Sequence, residues 1–221
     1  MKKIALLLLM MNSYTFANAQ QGLHIGAEGA GKLRFIMNQN TYGDPEYEYA
    51  PTVGYTAGFV LGYNFVDFFG FQIEANYSLQ GQSYEEVKDN LSVTRDVELR
   101  YFEFPVMLKY TAPEASTRFF AMGGVQFSSL HKARIDYFSG SEDRSTPNAK
   151  PRFENTDVAL VLGTGVDFDL FLNLYATIGL RFTYGFVDIN DGEWRIPNLS
   201  GNYNSSRNGS AGVKAGIHYQ F

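Results

Sequence analysis

The sequence predicts an all-β fold, an eight-stranded antiparallel up-and-down transmembrane β-barrel. Apolar and polar residues alternate over segments that, at about 3.3 Å per residue, can cross a hydrocarbon layer of roughly 30 Å. Beyond the N-terminus, no stretch approaches the roughly 18 uninterrupted apolar residues of a transmembrane helix. The connections between the segments alternate between short and long, which is typical of bacterial outer-membrane barrels.

The N-terminus predicts a secretory signal peptide. Lys2 and Lys3 precede an apolar run over residues 4–11, and Ala17-Asn18-Ala19 is a small-x-small cleavage site. The apolar run is too short to anchor the chain in a bilayer. We therefore expect residues 1–19 to be removed on export and residues 20–221 to form one barrel domain.

The clearest alternation runs over residues 172–188. The apolar face of this segment carries Leu172, Leu174, Ala176, Ile178, Leu180, Phe182 and Tyr184. The opposite face is small and polar, and Arg181 is its one charged residue before Gly185. A period of two over this length indicates a β-strand with one lipid-facing side.

Seven further segments repeat the pattern and give the predicted strand order. The eight strands are expected over 22–36, 51–66, 69–80, 97–110, 118–129, 156–168, 172–185 and 210–221. Pro105 lacks an amide donor, so we expect a local irregularity in the fourth strand.

The connections and aromatic residues predict how the barrel sits in the membrane. Residues 64–68, 111–117 and 169–171 form tight turns, whereas 38–50, 81–96, 130–155 and 186–209 are long and polar. Both termini then lie on the short-turn side, which faces the periplasm in outer-membrane barrels of Gram-negative bacteria. Aromatic rings favour the membrane–water boundary, and this side carries Tyr63, Phe65, Phe68, Phe69, Phe71, Tyr110, Phe119, Phe168, Phe171, Tyr219 and Phe221.

Composition excludes several classes of function. Without Lys2 and Lys3 the chain has 16 basic and 23 acidic residues, a formal charge of −7, which argues against nucleic acid as a partner. Cysteine is absent, so disulfides and thiolate sites are excluded. A soluble lipocalin-like barrel is the alternative fold, but it would be polar outside and apolar inside.

Five ionisable residues are predicted to face the lumen and to form the clearest candidate cluster: Glu28, Glu74, Glu103, Arg181 and Lys214. We expect them near one level of the lumen, with Glu74 across from Arg181, Glu103 across from Lys214, and Glu28 beside Lys214 where the barrel closes. An eight-stranded barrel is just wide enough to be filled by side chains, and buried charges must be paired. We therefore interpret the set as a structural plug rather than an ion path.

Signals for catalysis or metal binding are weak. His131, in the third long connection with Ser128, Ser129 and Asp136 nearby, is the one candidate catalytic base, but proximity in sequence does not make a triad. Residues 188–193 resemble part of a calcium loop, with the glycine misplaced and no glutamate at the twelfth position, so a turn is favoured. We expect no catalytic residue, no cofactor and no metal. Trp194, the only tryptophan, is expected to pack its connection onto the rim.

The chain resembles the PorT-type outer-membrane β-barrel family of the Bacteroidetes. The segment 101–110 is similar to the family's aromatic-x-Glu-x-Pro-x-x-x-Lys-Tyr strand, and 181–188 to its Arg-Tyr-x-x-Gly-Leu-x-Asp segment, with Phe182 and Phe186 as departures. The strand ending in Phe221 resembles the aromatic-terminated signal read by the barrel-assembly machinery. The resemblance implies the fold and an outer-membrane location. The family is functionally mixed, with one branch supporting protein secretion, and it supplies no catalytic residues.

These observations lead to three functional hypotheses. The first is a monomeric structural or interaction protein, set in outer-membrane lipid, whose long loops contact envelope or secretion proteins. The second is a narrow porin-like channel, which a filled lumen opposes. The third is a membrane enzyme that uses loop residues near His131.

Overall fold

A computed structural model describes residues 21–37, 48–88, 91–112, 116–139, 142–195, 197 and 201–221. The signal peptide predicted over residues 1–19 and most of the connection 38–50 lie outside the described residues. Within those ranges, no helix has the length and apolar character needed to cross a membrane.

The described chain consists of ten strands and two short 3-10 turns. The strands are β1 (Gly22–Met37), β2 (Glu48–Ala50), β3 (Thr52–Val66), β4 (Phe69–Lys88), β5 (Leu91–Thr111), β6 (Thr117–Ser139), β7 (Glu142–Thr146), β8 (Thr156–Phe171), β9 (Leu174–Gly185) and β10 (Arg207–Gln220). The 3-10 turns are Lys150–Arg152 and Gly192–Trp194.

Eight of the strands close into a barrel. The ring runs β4–β3–β1–β10–β9–β8–β6–β5 and closes where β4 pairs with β5. Every pairing is antiparallel, including the seam between β1 and β10, where His24 lies opposite Gln220. The short strands β2 and β7 pair with β4 and β6. The predicted eight-stranded antiparallel barrel is therefore confirmed.

The faces of the barrel have the polarity that a membrane requires. Phe59 on the outer face is 75% exposed, whereas Lys214 in the lumen is 1% exposed. Other exposed outward residues are also apolar, among them Leu61, Ile73 and Phe119. The soluble lipocalin-like alternative is wrong, because a barrel in water cannot leave such a belt uncovered.

Three strands are longer than the sequence indicates. β4, β5 and β6 have 20, 21 and 23 residues and continue through stretches predicted to be loops, 81–96 and the start of 130–155. In this extension Ala133 and Ile135 of β6 point inward and are buried, while Lys132 and Arg134 are exposed. The alternation is inverted because water replaces lipid outside the sheet.

Pro105 interrupts the ladder between β4 and β5 locally, as predicted. The β4–β5 pairs pass from Ile73–Val106 to Asn76–Glu103 without a change of register, and Pro105 pairs with Gln126 of β6. The register shift of β5 lies instead between Arg100 and Tyr101. The missing amide of Pro105 therefore interrupts the ladder to β4 only locally.

Candidate functional site

The lumen is bridged by an ion pair between opposite walls. Glu74 lies on β4 and Arg181 on β9, four strands apart in the ring of eight. Arg181 Nη1 lies 2.7 Å from Glu74 Oε2, and Nη2 donates to the second oxygen. Gln72 and Asn76 each donate to Glu74 at 2.8 Å. The buried carboxylate thus has a bidentate cation and two amide donors, which offset its desolvation.

A second pair lies at the seam between β1 and β10. Lys214 Nζ lies 2.9 and 2.8 Å from the two oxygens of Glu28. His218 Nε2 lies 3.2 Å from Glu28 Oε1, and its ring stacks on Tyr175 with centroids 4.8 Å apart. His24, also in the lumen, contacts His218 edge-on at 6.0 Å. This group fills the lumen toward the termini.

Glu103 is bound differently from the sequence expectation. It lies on β5, opposite β10 in the ring, but Lys214 binds Glu28 on the adjacent strand. Glu103 accepts instead from Gln80 Nε2 at 2.9 Å. Lys214 reaches the Glu28 carboxylate on the neighbouring strand, whereas it would have to extend across the lumen to reach Glu103.

Sequence reasoning missed a third ion pair. Lys109 Nζ lies 2.7 Å from Asp167 Oδ2, and the Thr177 hydroxyl donates to Asp167 Oδ1 at 2.6 Å. The signal was available, since Asp167 lies between the outward residues Val166 and Phe168 and must point inward by parity.

Above the ion pairs, an apolar cluster fills the end of the barrel remote from the termini. We call it the outer core, and its buried members are Ile36, Tyr84, Val97, Leu99, Tyr101, Leu130, Ala133, Ile135, Ala149, Phe153 and Ile189. They come from the end of β1, from the extended strands and from two connections, 147–155 and 186–206. Lipid-facing barrels have polar interiors, so this apolar filling belongs to the part outside the hydrocarbon layer.

Arg34 joins the barrel to the extension. Its Nη1 donates to the carbonyls of Gln80 at 2.6 Å and Val97 at 3.0 Å, and its Nε to Val53 at 3.2 Å. Gly81 lies beside these carbonyls with a φ of 119°, a backbone conformation that residues other than glycine rarely adopt. Gly81 is the first residue of β4 beyond the segment 69–80 that the sequence predicts as a strand.

Asp188 organises the connection between β9 and β10. Its carboxylate accepts from the Tyr203 hydroxyl at 2.9 and 2.8 Å and from the Ser206 amide at 3.1 Å. Arg195 Nε lies 3.1 Å from the same carboxylate. Burial and the neighbouring Asp188 raise the pKa of Tyr203 to about 12. The segment predicted to be a turn rather than a calcium loop is thus held by protein donors.

The two connections 147–155 and 186–206, which we call the outer connections, are hydrogen-bonded to each other. The Glu154 amide donates to the Ile189 carbonyl at 2.8 Å, and the Asp191 amide donates to the Arg152 carbonyl at 3.1 Å. The Arg152 guanidinium lies 4.3 Å from the centre of the Trp194 ring. Trp194 therefore packs one connection against the other.

His131 is not in a loop, as the sequence suggested, but in β6. Its ring faces outward and contacts Phe102 and Tyr77, with centroids 5.1 and 6.3 Å away. Ser128 is buried and accepts from Gln126, and Asp136 binds Arg134 and Ser145. The structure does not bring these residues together as a catalytic group. Within the described ranges, no three His, Cys, Asp or Glu residues cluster to hold a metal.

Comparisons with known proteins agree with this fold. A family model described as "Outer membrane protein beta-barrel domain" matches residues 16–191. The outer membrane protein OprG from Pseudomonas aeruginosa is 14% identical, with 92% of this chain and 98% of that chain covered and a TM-score of 0.51. Neisserial surface protein A is 14% identical, with 90% and 97% covered and a TM-score of 0.48. No curated protein matches the sequence significantly. At these identities the similarity to solved structures shows the fold alone.

Proposed function

The chain belongs to the family of outer membrane protein beta-barrel domains, and we propose that it acts there as a non-conducting structural or interaction protein. The ion pair between Arg181 and Glu74 carries the proposal, because it joins opposite walls at 2.7 Å inside a lumen of only eight strands. The pairs of Lys214 and Lys109 occupy neighbouring levels. With the outer core above them, these side chains leave the two outer connections and the strand extension as the surface for partners.

The finer assignment to the PorT-type family is part of this proposal. Its support is that the residues of the two resembling segments have structural roles. Glu103 and Lys109 point into the lumen from β5, Arg181 bridges the lumen, and Asp188 holds the outer connection. A partner in secretion or envelope machinery follows from that resemblance.

We further propose that both termini face the periplasm after removal of residues 1–19. The short connections after Val66, Thr111 and Phe171 lie at the same end as the termini, whereas the extended strands and outer connections lie at the other end. Phe221 is exposed at the short-turn end, where it is available to the barrel-assembly machinery during insertion.

Two experiments test the proposal. Single-channel recording of the purified protein in planar bilayers should show no conductance steps, and regular steps would favour the narrow channel instead. Photocrosslinking in intact cells should compare a photoreactive residue at Phe138, which is exposed on the outer extension, with one at Leu172 in a short turn. A discrete adduct from position 138 supports a partner at the outer end, whereas adducts from position 172 alone contradict it.

A further inference from the structure

A β-bulge brings basic side chains together where the lipid-facing belt ends. Arg100 pairs with Lys132 and Tyr101 pairs with Leu130, so His131 is an extra residue in β6. Both His131 and Lys132 are exposed, whereas Leu130 is buried. A bulge re-aims side chains, and this one turns two consecutive residues outward beside Arg100.

The aromatic end of the membrane belt lies directly below this cluster. The His131 ring contacts Phe102 at 5.1 Å and Tyr77 at 6.3 Å. Phe102 begins the outward row that continues through Phe104 and Val106 toward the opposite rim. Aromatic rings favour the boundary between hydrocarbon and headgroups. Arg100, His131 and Lys132 are therefore at headgroup level.

The charges are arranged with cations toward the membrane. Arg100 Nη2 lies 3.5 Å from Glu98 Oε2, and Arg134 Nε lies 2.7 Å from Asp136 Oδ2. Both carboxylates lie farther from the membrane belt along their strands than Arg100 and Lys132 do. Like charges placed directly opposite each other on a sheet are destabilising, and Arg100 and Lys132 are so placed. An anion between them would remove that repulsion.

We propose that Arg100, His131 and Lys132 bind the phosphate groups of an anionic lipid whose acyl chains lie against the belt below Phe102. Lipid phosphates lie at the level of the bulge, and juxtamembrane cations attract anionic headgroups. Arg100 and Lys132 offer charged donors from two adjacent strands, which suits the several oxygens of a phosphate. The site is continuous with the lipid-facing surface, so its ligand enters from the membrane rather than from aqueous solution.

The test is a lipid titration of the purified barrel in micelles of an uncharged detergent, followed by native mass spectrometry. The probes are diphosphoryl lipid A, monophosphoryl lipid A and phosphatidylcholine. Affinity should fall in that order, and excess inorganic pyrophosphate should not displace bound diphosphoryl lipid A, because the acyl chains contribute to binding. Arg100→Gln and Lys132→Gln should each weaken binding of diphosphoryl lipid A about fivefold.

Arg207→Gln is the matched control, since it removes one cation from β10, across the barrel from β5, where Arg207 contacts the Tyr184 hydroxyl at 3.2 Å. It should change the affinity less than twofold. Equal binding of all three probes would overturn the proposal, and so would a loss in Arg207→Gln as large as in Lys132→Gln. Displacement by pyrophosphate would indicate a site for soluble anions instead. Heat-dependent gel mobility of each variant shows whether the barrel is intact, and the comparison of probes on the unaltered protein does not depend on any variant.

Discussion

The guanidinium of Arg181 reaches across the lumen to the carboxylate of Glu74, with Nη1 2.7 Å from Oε2. The two residues are 107 positions apart in sequence and lie on strands that are opposite each other in the barrel. Burial of such a pair is tolerated because both partners are present and hydrogen-bonded, so removal of one partner leaves an uncompensated charge.

Arg181→Leu should lower the free energy of unfolding by about 3–5 kcal/mol, because the Glu74 carboxylate stays buried without its cation. Urea unfolding in detergent, followed by gel mobility, measures the loss. The double variant Glu74→Met/Arg181→Leu is the control and should recover much of the stability, since it removes the unpaired charge. Unchanged urea resistance of Arg181→Leu would contradict a structural role for the pair.

Phe153→Ala should loosen the outer core. Phe153 is 3% exposed, and truncation of a buried phenylalanine costs about 3–5 kcal/mol. Hydrogen exchange should show faster exchange in the two outer connections than in the lipid-facing strands. Phe138→Ala, at a position that is 45% exposed on the same extension, should leave the exchange unchanged. Equal effects of the two variants would mean that the connections do not pack as described.

Asp188→Ala should release the connection between β9 and β10. The carboxylate accepts from Tyr203 and the Ser206 amide, and loss of a buried acceptor costs about 1–3 kcal/mol. Limited proteolysis should then cut within residues 186–206 while the barrel stays intact. Asp191→Ala, which removes the bond to the Glu193 amide at 3.2 Å and leaves the Asp188 carboxylate in place, should be cut no faster than the unaltered protein. Protection of the Asp188 variant would argue that other contacts hold the connection.

Gly81→Val should disturb β4 where its extension begins. Gly81 has φ of 119°, and an added Cβ would collide with the Val97 carbonyl oxygen, so strain of about 1–3 kcal/mol is expected. Gly192→Val is the control, because open space surrounds that glycine. In thermal gel-shift assays, the transition temperature should be lower for Gly81→Val and unchanged for Gly192→Val. A tolerated valine at position 81 would show that β4 and β5 can adjust there at little cost.

The lipid-facing strands could be predicted from the sequence because one face of each must meet hydrocarbon and the other a narrow polar lumen. That constraint repeats every two residues, so it marks the inward direction of Glu74, Glu103 and Arg181 without a structure. The predicted starts of β1 and β4 coincide with the observed ones at Gly22 and Phe69. The extensions of β4, β5 and β6 were missed because their faces are reversed in water, where Ala133 and Ile135 of β6 turn inward.

The sequence by itself determined the fold class, the strand order and the inward direction of Glu28, Glu74, Glu103, Arg181 and Lys214. Only the tertiary structure decided that Lys214 binds Glu28 rather than Glu103, that Asp167 binds Lys109, and that a bulge turns His131 outward. The physical reason is that alternation fixes the direction of a side chain but not its height or its reach across a lumen. Those depend on strand stagger, bulges and the nearest available partner, which are properties of the closed barrel.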